Sequence, residues 1–149
     1  NNTTNNTLNN IIVVNNYGNE DISHITDKIK MELLKLPYTM IPKMIEYVHF
    51  NSKKPENKNI ALTNKKEKLI KVYKDNKWKY KDRDEILDEL IQTNYCRLDD
   101  YYEKQGITHL SLTHNKRYKN YQGKFDSQDK DIMDNVKKES EIVLLSENL

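Results

Sequence analysis

The chain reads as an α+β protein: a small antiparallel sheet of about three strands, arranged as a meander, packed against several α-helices. Two observations carry this reading. Before residue 50 and after residue 82, apolar residues recur at steps of three and four, the repeat of one helix face. Between them, residues 59–81 alternate apolar and polar around Asp75-Asn76, a pair that tolerates positive φ and suits a tight hairpin. A length of 149 residues fits one domain with one modest core. The expected division is a disordered Asn/Thr-rich linker over 1–10, an α+β core domain over 11–106, and a basic loop with a C-terminal helix over 107–149.

Each element has a local reason. Residues 1–10, NNTTNNTLNN, offer one apolar side chain and cannot offset the entropy of ordering. The β-branched run Ile11-Ile12-Val13-Val14 predicts a short strand, and Gly18 a turn. Ile22, Ile25, Ile29, Leu33 and Leu36 line one face of a helix capped by Asp21 or Ser23 and ended by Pro37. A second short helix starts near Pro42, with Ile41, Met44, Ile45 and Val48 on its apolar side. Strands follow at 59–64, 68–74 and 77–81. The strongest helix spans Asp82 to Gly106: Ile86, Leu87, Leu90, Ile91, Leu98 and Tyr102 form its stripe, and acidic residues crowd its first turns. Gly106 is its expected stop. Residues 107–125 show no clear period. A last helix, capped by Asp126 or Ser127, runs through Ile132, Val136 and Leu145. The expected core is Ile29, Leu33, Ile45, Val48, Ile60, Leu62, Ile70, Val72, Trp78, Leu87, Leu90 and Ile91.

Composition narrows the function classes. Charged residues make up 32% and hydrophobic residues 36%, with mean hydropathy −0.97 and net charge +2. This balance gives no global drive toward nucleic acid or an anionic membrane. A single cysteine, Cys96, excludes an internal disulfide and a multi-cysteine zinc site, and is expected to be a small buried residue. The apolar runs are too short to span a bilayer, and no secretory leader is visible. An intracellular protein without membrane partners is expected.

Chemistry has three candidate locations. The first is YVHFNSKKPENKNI, residues 47–60. As a catalytic piece, His49 would be a general base with Asn51 or Asn57 beside it, as in a metal-dependent nuclease. As a structural piece, its Asn side chains satisfy the backbone of a long helix-to-strand connection, and Pro55 stiffens it. A partner-binding loop is the third reading. The second location is the hairpin: residues 52–82 hold eleven lysines and four acidic residues. Lys68, Lys71, Lys74, Lys77 and Lys79, with Tyr73, Trp78 and Tyr80 among them, form a basic aromatic set suited to phosphates and bases. The alternative is a solvated lysine edge that discourages strand addition, with Trp78 in the core. The third location is Lys116, Arg117 and Lys119, interleaved with Tyr118 and Tyr121, read as a nucleic-acid or anion contact or as a mobile surface loop. No phosphate loop, nucleophile elbow, paired-Cys pattern or EF-hand loop occurs, so no cofactor and no metal is expected.

YGNEDISHIT, VHFNSKKPENKNI and KVYKDNKWKY occur in this order. Over roughly residues 15–102 the chain resembles the C-terminal domain of uncharacterised giant-virus, mimivirus-like proteins. These often carry an upstream zinc finger or coiled coil and an Asn/Thr-rich linker. The resemblance implies a viral source, a larger parent chain, and a host-cytoplasm, viral-factory or virion location. It supplies no catalytic residues. The expected function is a non-catalytic binding module, acting on nucleic acid or on another viral protein through the basic hairpin. A metal-dependent nuclease and an oligomerisation or scaffold domain, self-associating through the upstream region, are the alternatives.

Overall fold

The structure is a computed structural model that describes residues 11–147. The expected linker, residues 1–10, lies outside the described residues. The class is α+β, with a three-stranded antiparallel sheet in the order β1-β2-β3. The strands are β1 (Ile60–Ala61), β2 (Leu69–Lys74) and β3 (Lys77–Asp82). The helices are α1 (Asp27–Leu34), α2 (Pro37–His49), α3 (Arg83–Tyr101), the short α4 (Ile107–His109), α5 (Leu112–Asp126) and α6 (Lys130–Ser146).

Helix α2 is the centre of the fold. Met40, Ile41, Met44, Ile45 and Val48 are fully buried, and each such side chain contributes ~1.5–3 kcal/mol by leaving water. Helices α1, α3, α5 and α6 all pack on α2. The helix begins earlier than its sequence suggests. Pro37 occupies the first turn, where a missing N–H costs nothing. Pro42 therefore lies inside the helix and removes the bond to the Tyr38 carbonyl. Its ring is buried, and tertiary packing outweighs the local defect.

Other boundaries also move. Helix α1 starts at Asp27, because Thr26 caps it by accepting from the Ile29 N–H at 3.2 Å. The strand expected at Ile11–Val14 does not form. These residues join no ladder, and Ile11, Ile12 and Val13 are exposed. Helix α3 is capped by Asp82, whose carboxylate accepts from Glu85 N–H at 2.9 Å. It does not stop at Gly106. The chain widens through a π-turn, Tyr102–Gly106, and continues into α4. A Cβ on Gly106 would meet Leu34 Cδ1 at 2.9 Å, so this glycine permits a close approach to α1.

Within residues 107–125, expected as a basic loop, the chain forms helix α5, which runs on to Asp126. Its buried face is aromatic: Tyr118, Tyr121 and Phe125, at helical spacing. These belong to the same core as α2, as do Ile132, Val136 and Leu144 of α6. Helix α6 is capped by Asp129, not by Asp126 or Ser127. Between α5 and α6, Gln128 takes φ +56°. Its N–H donates to Phe125 O and that of Asp129 to Lys124 O, both at 2.9 Å, which forms a Schellman stop. A side chain in this left-handed region is strained. Gln128→Gly is therefore expected to raise stability by about 1 kcal/mol, read as a higher denaturation midpoint at unchanged slope.

Of the expected core, Leu33, Ile45, Val48, Ile60, Leu62, Ile70, Val72, Leu87, Leu90 and Ile91 are buried, and Ile29 packs partly buried against them. Trp78 is not in the core. Cys96, expected to be buried, is exposed on α3.

Candidate nucleic-acid interface

The hairpin register decides which face each side chain takes. Asp75 and Asn76 have φ of +55° and +64°, the twist that a two-residue turn needs to join antiparallel strands. Ile70 pairs with Lys81, Lys71 with Tyr80, Val72 with Lys79, and Tyr73 with Trp78. Ile70 and Val72 point inward and are buried. By alternation, Leu69, Lys71 and Tyr73 on β2 share the opposite face with Trp78 and Tyr80 on β3. This face is open: Leu69 is 47% exposed, Trp78 46% and Tyr80 65%.

The outer face is organised by its aromatics. Tyr73 and Trp78 meet edge to face with ring centres 5.6 Å apart. Lys71 Nζ lies 5.4 Å from the Tyr80 ring centre, a favourable placement of a cation over a π-face. Lys74 and Lys77 are exposed cross-strand neighbours beside the turn, and Lys68 is exposed just before β2. Lys79 is half-buried, points to the other face and pairs with Asp75 at 3.0 Å. Of the expected set, Lys71 and Trp78 share the outer face, whereas Lys74 and Lys77 fall by alternation on the same side as Val72 and Lys79, and Lys68 precedes β2. Tyr73 and Tyr80, already part of the expected aromatic set, lie on this face too, and the register adds Leu69. Their signal was the strand alternation itself, which places Tyr80 two residues beyond Trp78.

Lys116, Arg117 and Lys119 do not join this surface through the sheet. They are exposed on α5, which packs on α2 and α6. Arg117 Nη1 donates to the Lys35 carbonyl at 3.3 Å, just past the end of α1.

A buried polar network holds the hairpin in place. His49 is 1% exposed, and its Nδ1 faces Asn59 Oδ1 at 2.9 Å and the Asn57 carbonyl at 3.3 Å. Both partners are acceptors, so Nδ1 carries the hydrogen. Asn59 Nδ2 donates to Glu20 Oε2 at 2.7 Å and to Asn15 O at 3.1 Å. Glu20 also accepts from Gly18 N–H, and its other oxygen lies 3.5 Å from Arg97 Nη2. Asn57 Oδ1 accepts from Asn15 Nδ2 and from Asp21 N–H, and Asn57 Nδ2 donates to Asp21 O. The backbone carries the connection onward. Tyr73 N–H donates to Asn59 O at 2.8 Å, Tyr17 N–H donates to Tyr73 O at 2.7 Å, and Asp75 N–H donates to Asn16 Oδ1 at 3.1 Å. The loop, the N-terminal segment and β2 are one hydrogen-bonded unit. Asn51 serves a local turn, accepting from Lys53 N–H at 2.9 Å.

Around this unit, Lys54 and Asp21 pair at 2.7 Å, and the ammonium holds the Asp21 carboxyl well below the usual carboxylate range. Burial, then the hydrogen bond to Glu89, pushes the Tyr17 hydroxyl far up. Burial also holds the His49 imidazole below its ordinary value of 6.5. The unfolded chain then binds a proton near pH 6.5 that the folded chain refuses. This contribution to stability is complete above pH 6.5 and is lost as the pH falls toward the folded value. The denaturation midpoint should therefore drop between about pH 7.5 and pH 5 by more in the native protein than in His49→Gln. Parallel pH profiles would contradict the burial of a neutral His49.

Among the described residues, no group of three or more His, Cys, Asp and Glu side chains is placed to hold a metal. No helix among them is long and apolar enough to cross a membrane. Comparison with protein-family models, with curated proteins and with solved structures finds no match to this chain.

Proposed function

We propose that this domain is a non-catalytic binding module that contacts nucleic acid through the outer face of its hairpin. The observation that carries the reading is the exposure of Trp78 and Tyr80 among lysines. Aromatics in a small sheet bury themselves when they serve the core. Here they stand in water on the face that carries Lys71, with Lys74 and Lys77 exposed at the adjoining turn. The opposite charge on α3, where Asp84, Glu85, Asp88 and Glu89 crowd the first two turns, leaves the basic character concentrated on the hairpin. His49 belongs to the scaffold of this surface: it is enclosed, bonded to Asn59, and one step from the Tyr73 backbone. The giant-virus resemblance, with its upstream linker, agrees with a module carried on a larger chain.

The test is equilibrium binding to nucleic acid across a salt series. Lysines that neutralise phosphates release counterions, so affinity should fall as salt rises. About three contacts give a log–log slope of roughly −2 to −3. Absence of binding at low salt would remove the proposal.

A further inference from the structure

We infer that the sheet face takes single-stranded nucleic acid, with unpaired bases stacked on Trp78 and Tyr80. This rests on the nucleic-acid reading and narrows it. Base edges in a duplex groove are read mostly by arginine or lysine and by asparagine or glutamine, and of these the outer face of β2 and β3 offers the single Lys71. It otherwise presents Leu69, Tyr73, Trp78 and Tyr80, with Asp82 opposite Leu69 at the far end. Lysine meets phosphate as a point charge, and an aromatic ring offers its flat face. A duplex hides the faces of its bases, whereas a single strand exposes them.

Spacing points the same way. Trp78 and Tyr80 are two residues apart on β3, so they stand about 6.8 Å apart along the strand. That is about twice the 3.4 Å repeat of stacked bases. Two neighbouring bases can each occupy one ring only when the strand is stretched and unstacked. The rings are also fixed beforehand: Trp78 is braced edge-on by Tyr73, and Tyr80 is held under Lys71. Lys71 is the lysine of this face, paired across the strands with Tyr80, while Lys74 and Lys77 are exposed at the turn on the alternate side and Lys68 is exposed before β2. Lys71 thus offers the nucleic-acid backbone one phosphate contact beside two stacking positions, with the exposed Lys74 and Lys77 at the hairpin tip.

Trp78 is the one tryptophan of the chain, so its fluorescence reports directly on stacking. The experiment titrates the full chain with a short oligodeoxythymidylate, a duplex of equal length and inorganic polyphosphate. The expected result is saturable quenching of Trp78 by the single strand alone. Tyr80→Ala should weaken single-strand binding about tenfold and leave polyphosphate binding unchanged, while Tyr80→Phe retains affinity. Tyr80 is largely exposed, and circular dichroism checks that the variant is folded. Equal binding of duplex and single strand without quenching would overturn the single-strand inference and leave the lysine contact standing. Binding of no probe at low salt would remove both.

Discussion

A His49→Ala protein is expected to lose about 3 kcal/mol of stability, from a buried cavity and an orphaned acceptor together. For a chain of this size that is a fall of roughly 6–12 °C in Tm. The imidazole is 1% exposed and lies in the gap between the end of α2 and the Asn57–Asn59 turn. Removing it leaves Asn59 Oδ1 without its donor in a place water enters poorly. The effect should travel. Asn59 also ties Glu20 by its side chain and Tyr73 by its carbonyl. Hydrogen exchange of the Tyr73 amide should therefore accelerate by more than the global loss of stability requires. A His49→Ala protein within about 0.5 kcal/mol of the native one, the range of ordinary surface changes, would show that the network does not support the fold.

Reversing Lys68, Lys71 and Lys77 together to glutamate is expected to abolish nucleic-acid binding at moderate salt and leave the fold intact. Lys68 and Lys77 are exposed, and Lys71 extends over Tyr80 on the outer face. None of the three has an acidic partner among the ion pairs of the described residues. Their replacement therefore strands no buried charge, and the stability cost should stay within about 0.5 kcal/mol each. Each phosphate contact removed should lower the salt slope by about one. Reversal adds repulsion over a range set by the Debye length of about 8–10 Å. The matching reversal of Lys116, Arg117 and Lys119 on α5 is the control and is expected to alter binding far less. A larger loss from the α5 set would move the interface away from the hairpin.

These two experiments address different layers of the molecule. The His49 network is structural and buried. The hairpin's outer face, with Trp78 and Tyr80, is exposed. The link between them is the backbone of Asn59 and Tyr73, through which the loop fixes where the hairpin stands.

Much of this was legible in the sequence. The alternation of Leu69–Lys74 and Lys77–Asp82 around Asp75-Asn76 specified a hairpin and its register, because a two-residue turn with positive φ leaves little freedom. The stripes of Ile86, Leu87, Leu90 and Ile91, and of Ile132 and Val136, specified buried helix faces by spacing alone. Other features were not local properties. Pro42 looks like a helix start in sequence and sits inside α2, because burial of that face outweighs one lost hydrogen bond. Gly106 looks like a stop and is instead a point of contact with Leu34, which lies 72 positions away. Helix α5 hid because its buried stripe is tyrosine and phenylalanine amid lysines, a pattern that also reads as a basic aromatic loop.

The sequence by itself determined the class, the hairpin, the charge of its strands and most aliphatic core positions, since these follow from periodicity and turn chemistry. The tertiary structure decided which side of the sheet the helices cover. That choice left Trp78 in solvent when its hydrophobicity alone pointed inward. It also decided the partners of His49. Glu20, Arg97 and Asn59 meet around it from three separate segments, and only folding brings such distant polar groups into one water-poor site where each must satisfy another.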